Sequence, residues 1–310
     1  MDGILVIDKP PQLTSHDVVG QVRHILQERR IGHTGTLDPF ATGVLVVVVG
    51  RATRLAQFLT GMEKEYEAII RLGFATDTGD RTGKPLKSDS TVRSISWTGT
   101  DIEAALSTLR GDIQQIPPMY SAKKIRGEKL YELARRGEEV QRHPINVCIH
   151  EFEPLPPDGE LIKDNLDGTF DFHARVVCSS GTYVRTLAED LGKRLGIGAH
   201  LAELRRTRVG DFSINQATTL ERLKSRFGEE AVGTVMLTPE SALSRLPFLH
   251  LNDDDERKAR HGLEVVANDN IKWTDGEIVR MCNRQGRLVA VGTYDAEIGR
   301  VHPRVVLAAD

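Results

Sequence analysis

Long apolar segments and an apolar N-terminal leader are missing from this chain of 310 residues. The longest aliphatic run covers residues 44–49, whereas a helix that crosses a bilayer needs roughly 20 apolar residues. The N-terminus carries an acid, Asp2, and one short apolar run, so it lacks the basic start and the apolar stretch of about 7–15 residues that mark a secretory signal. The sequence therefore predicts a cytoplasmic protein without a membrane span.

Cysteine is scarce, and the spacing of the three cysteines predicts neither a metal site nor a set of disulfides. Cys148, Cys178 and Cys282 are far apart in the sequence and form no CxxC pair. This pattern suits a reducing compartment and predicts free, buried thiols rather than zinc ligands. The P-loop and GxGxxG signatures are absent as well, so the usual nucleotide-cofactor folds lose their main support.

Neither sign of charge dominates the chain, yet basic residues are concentrated in two segments. In total, 41 Lys+Arg and 44 Asp+Glu give a formal net charge of -3. Residues 123–142 hold seven basic and four acidic side chains, and residues 193–208 hold five basic and one acidic. An acidic run at residues 253–256 offsets much of this excess. One basic segment alone is most simply a solvated helix face, but two in one chain indicate an anionic partner.

Hydrophobic periodicity predicts both helices and strands. Strands are expected at residues 4–7, 44–49, 65–72, 147–152 and 170–178. The fully apolar run 44–49 should be a central strand, because such strands are covered on both faces, and Tyr66 should point to the buried side of its alternating strand. Helices are expected after Ser15 and Asp101, each acting as N-cap. Past residue 240–248, short strands about ten residues apart predict a small barrel or sandwich.

The loop GHTGTLDPFATG at residues 32–43 has the composition of a ligand-binding segment. Its glycines permit sharp turns or a close backbone approach, and Pro39 pushes Asp38 towards an extended conformation. A plain capped turn, with Asp38 bonded to local amides, is the competing interpretation.

A second candidate segment covers residues 178–187. Gly181 and Thr182 open a helix there, and the free amides at a helix start attract anions. Arg185 follows one turn later and could pair with a phosphate, with a buried carboxylate such as Asp38, or with neither, if it is simply exposed.

Six segments occur in an order that resembles the TruB family of bacterial tRNA pseudouridine-55 synthases. They are DKP at residues 8–10, GHTGTLDPFATGVL at 32–45, KEY at 64–66, PPMYSAKKIRGEKLYELARRG at 117–137, CSSGTYVRTLAEDLG at 178–192 and AHLAELRRT at 199–207. The resemblance covers residues 1 to about 225. The tail from about residue 245 is similar to the small RNA-binding PUA-type barrel of that family.

This resemblance implies an α+β fold with a pseudouridine synthase core. A mixed, largely antiparallel central sheet would be flanked by helices and loops and followed by a small C-terminal PUA-like β-barrel. The catalytic domain would cover residues 1–240, with a thumb inserted at about 114–142, and the PUA-like RNA-binding domain would cover residues 245–310.

The resemblance also implies an activity that needs neither a cofactor nor a metal. The N-glycosidic bond of uridine 55 in the tRNA T-loop would break, and uracil would be rejoined through C5. Asp38 matches the catalytic aspartate, whose attack on ribose, attack on uracil or help in forming a glycal all remain open. Arg185 matches the arginine that pairs with it. Tyr66 matches the tyrosine that packs on the base, and it could also take the C5 proton, although a free phenol with a pKa near ~10 is a poor base at neutral pH.

Further site residues follow from the same matches. Substrate-binding positions are His33, Tyr183, Leu204, Lys9 and Pro10, and RNA-binding positions are Lys123, Lys124, Arg126, Arg205 and Arg206. The basic groups would contact phosphates and so position the RNA without reading its sequence. The implied partner is the T-arm stem-loop of tRNA. Because guide-RNA-dependent relatives generally lack the thumb, its presence favours a stand-alone monomer that needs no protein partner.

Three alternatives remain open at this point. The chain could be a related stand-alone synthase acting on another RNA uridine, or a non-catalytic RNA-binding or RNA-folding protein. It could also be a glycoside hydrolase that pairs Asp38 with Asp77 or Asp80. The aromatic content of 5%, with two tryptophans, disfavours this last class because sugar sites are usually rich in aromatic side chains.

Overall fold

The computed structural model describes residues 1–86, 97–121, 123–125, 127–138, 140–226, 235–267 and 272–307. The strands are β1 (Gly3–Lys9), β2 (Ile31–His33), β3 (Thr42–Val49), β4 (Lys64–Gly73), β5 (Gly111–Gln115), β6 (Lys124–Ile125), β7 (Glu128–Lys129), β8 (Ile145–Pro154), β9 (Lys163–Asp164), β10 (Phe170–Cys178), β11 (Gly198–Val209), β12 (Phe212–Ser213), β13 (Met236–Leu237), β14 (Phe248–His250), β15 (Val265–Val266), β16 (Ile278–Cys282), β17 (Leu288–Asp295) and β18 (Arg300–Val306). The α-helices are α1 (Ser15–Leu26), α2 (Ala56–Leu59), α3 (Gly99–Ser107), α4 (Leu130–Arg135), α5 (Val184–Arg194), α6 (Leu220–Arg226), α7 (Pro239–Ala242) and α8 (Asp253–Arg260). No helix in these ranges combines the length and hydropathy of a membrane span.

The main sheet has eleven strands, eight of them in the order β13-β1-β3-β11-β4-β10-β8-β5. Strands β3 and β11 run parallel, with Thr42 opposite Arg205 and Gly43 opposite Arg206. The other neighbouring pairs on this path are antiparallel. The sheet is therefore mixed and largely antiparallel, as the sequence predicted.

Strand β3 lies between β1 and β11 and is buried on both faces. Its even-numbered valines pack into one hydrophobic cluster, and Leu45, Val47 and Val49 pack into another that includes helix α1. This confirms the expectation of a central strand. Strand β4 alternates as expected, with Tyr66 on the buried face.

The predicted caps of two helices are wrong by one and three residues. Helix α1 is capped by Thr14 rather than Ser15, and α3 is capped by Thr98 rather than Asp101. Both starts are capping boxes, in which the threonine hydroxyl accepts from the amide three residues later and the aspartate there accepts from the threonine amide. The reciprocal pair satisfies two free helix amides, which a lone Ser15 or Asp101 would not do.

The C-terminal sheet has the order β14-β16-β17-β18-β15, and this five-stranded half-barrel is consistent with the small PUA-like barrel that the resemblance implies. The acidic run 253–256 is the first turn of helix α8, where negative charge stabilises the positive end of the helix dipole. Its carboxylates pair with basic residues of the same helix, as in Lys258–Asp255 at 2.9 Å and Arg260–Glu256 at 2.7 Å. The run is therefore neutralised locally. The barrel also shares a core with the main sheet, since Val291 and Leu307 pack in the cluster that contains Val44.

Candidate active site

A cleft of about 440 Å³ opens where β4, β11, the loop before β3 and the start of α5 meet. Its walls are formed by Thr34, Gly35, Thr36, Leu37, Asp38, Thr60, Lys64, Tyr66, Ser121, Lys123, Ser180, Gly181, Thr182, Tyr183, Val184, Arg185, Leu204 and Arg206. The two segments singled out in the sequence, residues 32–43 and 178–187, thus face each other across one cavity. A volume of this size is typical of a small-molecule or single-nucleotide site.

Asp38 and Arg185 form a bidentate ion pair in the cleft. Arg185 Nε donates to Asp38 Oδ2 at 2.9 Å, and Nη2 donates to Oδ1 at 3.1 Å. The arginine side chain is 4% exposed, whereas that of Asp38 is 31% exposed and reaches the cavity. Burial raises the pKa of the Asp38 carboxyl, and the Arg185 guanidinium opposes that shift. Because both carboxylate oxygens accept charge-assisted hydrogen bonds, this geometry favours the ionised form.

Arg185 is itself held by other groups. Its guanidinium donates to the carbonyl oxygens of Thr78 at 2.9 Å and Tyr120 at 2.7 Å, and lies 3.8 Å from the Asp80 carboxylate. Asp80 is buried, accepts from Thr82, and does not line the cleft. Asp77 is exposed and does not line it either. Among the described residues, neither Asp77 nor Asp80 therefore supplies the second cleft carboxylate that a glycoside hydrolase would pair with Asp38.

Buried groups outside the cleft hold the loop that carries Asp38. The Ser15 hydroxyl accepts from the Leu37 amide at 2.8 Å and donates to the Leu37 carbonyl at 3.2 Å. Lys9 Nζ donates to the carbonyl oxygens of Pro39 at 3.2 Å and Leu13 at 2.7 Å. Both contacts anchor the chain immediately beside Asp38.

Lys9 and Pro10 were expected to bind substrate, and neither lines the cleft. Lys9 is 0% exposed, its ammonium is occupied by backbone carbonyls, and burial lowers its pKa to about 8. Lys9 therefore stabilises the loop that carries Asp38 rather than contacting a ligand in the cleft. The physical reason is its place at the end of strand β1, opposite Gly43 of β3, where the carbonyl oxygens of Leu13 and Pro39 surround its ammonium.

Tyr66, Tyr183 and Leu204 line the cleft that contains the Asp38–Arg185 pair. Burial raises the pKa of both phenols, so both are protonated at neutral pH. His33 lies at the end of β2, just outside the residues that line the cavity. Burial lowers its pKa, so its ring is neutral at pH 7. Its buried Nδ1 has no hydrogen-bond partner among the described residues.

The two arginines expected to bind phosphate beside Leu204 differ from each other. Arg205 is partly exposed and pairs with Asp8 at 2.8 Å. Arg206 is 1% exposed and is occupied by backbone carbonyls, so it is not available as a surface phosphate contact. The alternation of strand β11 explains the difference, because neighbouring residues point to opposite faces of the sheet.

The thumb carries fewer free cations than its sequence suggested. Arg136 is paired with Glu128 at 2.6 Å and with Glu138 at 2.7 Å. Lys124 is exposed and Lys123 lines the cleft, and within the described residues neither has an ion pair. Arg126 lies outside the described residues.

Lys64 is a cleft residue that the sequence analysis did not assign. It is buried, its Nζ donates to the Met62 carbonyl at 2.8 Å, and burial lowers its pKa to about 8. A signal was available, because residues two apart in a strand share a face and Lys64 precedes Tyr66 by two.

Comparisons with known proteins agree with this geometry. Residues 23–184 match the sequence model of the TruB family pseudouridylate synthase N-terminal domain, and residues 185–244 match the tRNA pseudouridylate synthase B C-terminal domain. The tRNA pseudouridine synthase B of Solibacter usitatus is 40% identical over 99% of this chain and 100% of that protein. The Geobacillus thermodenitrificans protein of the same name is 40% identical over 98% of each chain.

Solved structures show the same architecture. A chain from an H/ACA RNP bound to a substrate RNA containing 2′-deoxyuridine is 26% identical, with a TM-score of 0.73, covering 99% of this chain and 85% of that one. A chain from an archaeal box H/ACA Nop10–Cbf5 complex is 28% identical, with a TM-score of 0.70, covering 99% and 86%. The fold and the cleft are those of an RNA pseudouridine synthase, an enzyme that isomerises uridine. Within that class, the chain belongs to the TruB family.

Proposed function

We propose that this enzyme converts uridine 55 in the T-loop of tRNA to pseudouridine. The observation that carries the proposal is the bidentate Asp38–Arg185 pair, whose partly exposed carboxylate faces a cavity of about 440 Å³. The relatives named tRNA pseudouridine synthase B, 40% identical over nearly the whole chain, support tRNA as the substrate. A flipped uridine is a suitable occupant for a cavity of this size.

Asp38 is the catalytic group in this proposal. Its carboxylate attacks C1′ of the ribose or C6 of uracil, or removes a ribose proton to give a glycal, and the N-glycosidic bond breaks. Arg185 keeps both carboxylate oxygens aimed at the cavity, because its own guanidinium is fixed by the carbonyls of Thr78 and Tyr120. Tyr66 and Tyr183 pack around the base, and Leu204 closes the wall. His33 helps to hold the target nucleotide out of its stem.

The RNA outside the cleft is bound by the thumb and by the strand that carries Arg205. Lys123, Lys124, Arg126 and Arg205 contact phosphates, which position the T-arm without reading its sequence. Flipping a uridine out of the folded loop costs a few kcal/mol, and such phosphate contacts offset it. We further propose a catalytic domain at residues 1–240, with its thumb at about 114–142, and a PUA-like RNA-binding domain at 245–310. The separate five-stranded sheet supports this division.

We also propose that the enzyme acts in the cytoplasm as a monomer without a protein partner. The structural relatives were solved in an H/ACA RNP bound to a substrate RNA and in an archaeal Nop10–Cbf5 complex. The basic thumb supplies RNA contacts from this chain itself. A synthase acting on a different RNA uridine is the closest competing function.

Tritium release from a tRNA transcript carrying 5-tritiated uridine tests the proposal. Wild type should release tritium, and release should stop when the T-loop target uridine is replaced by cytidine. Asp38→Asn should abolish release but leave tRNA affinity within about tenfold, since phosphate contacts dominate affinity. Asp211→Asn, at an exposed turn, is the matched control and should retain full activity.

Each other outcome rejects part of the proposal. Release that survives the cytidine replacement would mean a different target uridine. Tight tRNA binding without any release would make the chain an RNA-binding protein. Loss of binding in Asp38→Asn would make that carboxylate structural.

A further inference from the structure

Arg206 is a buried cation whose donors are used by the backbone around the Asp38 loop. Nε donates to the Val44 carbonyl at 2.7 Å, Nη2 to the Gly35 carbonyl at 3.0 Å, and Nη1 reaches the Thr36 carbonyl at 3.4 Å. Within the described residues, Arg206 has no carboxylate partner within 4.0 Å. A buried charge without a counter-ion is costly, so its position calls for an explanation beyond packing.

Tyr66 lies directly opposite this cation. In the antiparallel pair of β11 and β4, Arg206 and Tyr66 are cross-strand partners, and both line the cleft. Side chains in such a pair have Cβ atoms about 4.5–5.5 Å apart. The other titratable groups around the phenol are Lys64 on its own strand, Cys178 on β10 and Asp38 on the loop.

We propose that Arg206 is a positioning residue that acts through Tyr66: its guanidinium holds the phenol oxygen in the cleft and favours the phenolate that removes the C5 proton. This inference rests on the proposed function. Once C5 has bonded to C1′, the ring holds a C6=N1 double bond and C5 still carries its hydrogen. The C5 proton passes to the phenolate, the C5–H electron pair forms the C5=C6 double bond, the C6=N1 π pair moves to N1, and N1 takes up a proton from solvent. Tyr66 then returns its proton to solvent.

The electrostatics of the cleft support this role. A free phenol has a pKa near 10, and burial of Tyr66 raises it further, which alone would make proton removal at pH 7 slow. The neighbouring Arg206 charge opposes that rise. Arginine is always charged in proteins, so Arg206 supplies a fixed positive charge beside the phenol.

The test is a single-turnover reaction on tRNA whose target uridine carries deuterium at C5. Arg206→Gln removes the charge, so proton removal should become the slowest step and the C5 isotope effect should exceed the wild-type value. The rate should fall about tenfold for each unit by which the phenol becomes less acidic. Raising the pH should restore the rate and shrink the isotope effect. Arg208→Gln, on the same strand but paired with Glu63, is the control.

If Arg206→Gln fails to fold, Arg206→Lys provides a second test of the proposal. A lysine carries its donors at one point and cannot span the three carbonyls and the phenol together, so its isotope effect should also rise, by less. An isotope effect equal to wild type in a folded variant, with a rate that pH does not restore, would overturn the inference and leave Arg206 purely structural. Failure of wild type itself to modify the transcript would instead reject the proposed function.

Discussion

Replacing Gly43 with alanine should weaken the fold and disable the cleft together. Gly43 has a φ of +99° and sits where β3 runs parallel to β11. A Cβ added there would overlap the carbonyl oxygen of Arg206 and lie 2.8 Å from its amide nitrogen. These atoms are backbone, so the clash can be relieved only by moving the two strands apart. That movement would displace Arg206 from the carbonyls that hold the Asp38 loop.

The expected decrease in the free energy of unfolding of Gly43→Ala has two contributions. A non-glycine residue in a sparsely populated backbone region costs about 1–3 kcal/mol. Overpacking a closely packed site costs a similar amount, about 1–3 kcal/mol. We therefore expect the free energy of unfolding to fall by about 2–6 kcal/mol, which is large against the total stability of a domain. Gly20→Ala is the matched control, because no atom lies within 4 Å of its Cβ position, and the helix should gain about 0.5–1 kcal/mol.

Urea unfolding of both variants and tritium release per folded molecule are the measurements. Gly43→Ala should unfold at lower urea and should lose activity even where it is fully folded. A loss below about 0.5 kcal/mol, within the range of ordinary surface substitutions, would refute the close-approach argument. Normal activity in a destabilised variant would refute the link between this strand pair and the cleft.

Three further predictions concern charged groups. Changing Lys123 and Lys124 together to glutamine should weaken tRNA binding and reduce the slope of log affinity against log salt concentration by about 2. Arg136→Gln should leave this slope unchanged, because the Arg136 guanidinium is already paired with two glutamates. An unchanged slope in the double variant would remove these lysines from the interface. The pKa of Lys64 is about 8 in the folded protein, against an ordinary value of 10.5. Between pH 8 and 10.5 the unfolded chain therefore binds more protons at this lysine than the folded chain does. The free energy of unfolding of wild type relative to Lys64→Met should therefore rise from pH 8 to 10.5 in urea titrations, and a flat difference would contradict this. Arg185→Lys should lower turnover by about 100-fold or more with little change in tRNA affinity, because one ammonium cannot reproduce the bidentate pair with Asp38. An equal loss of tRNA affinity would instead assign Arg185 to RNA binding.

Much of the candidate site was predictable because its residues lie in a few short sequence motifs. The apolar run of β3 and the alternation of β4 indicated which strand is central and where Tyr66 points, and the structure confirms both. The pairing of Asp38 with Arg185 was one of three options for that arginine. The family resemblance favours this option, and the fold brings the two side chains together although 147 residues separate them.

The unsuccessful expectations have two causes. Thr14 and Thr98 cap their helices through reciprocal bonds that single-residue preferences do not capture. Lys9 and Arg206 lie in matching segments, and the resemblance implied substrate binding for Lys9 and RNA binding for Arg206. Their burial depends on which strands lie beside them, and sequence periodicity does not give strand order.

The sequence by itself indicated most of the elements, the family and the candidate reactive groups, because these depend on periodicity and on motifs within short segments. Only the tertiary structure decided which charged side chains are exposed to solvent and which are buried and hydrogen-bonded inside the protein. Arg205 and Arg206 are neighbours of the same chemical type, yet one is partly exposed beside Asp8 and the other is enclosed by backbone carbonyls. That difference arises because burying a charge requires several hydrogen-bond acceptors at once, and only the packing of β3 against β11 brings them together.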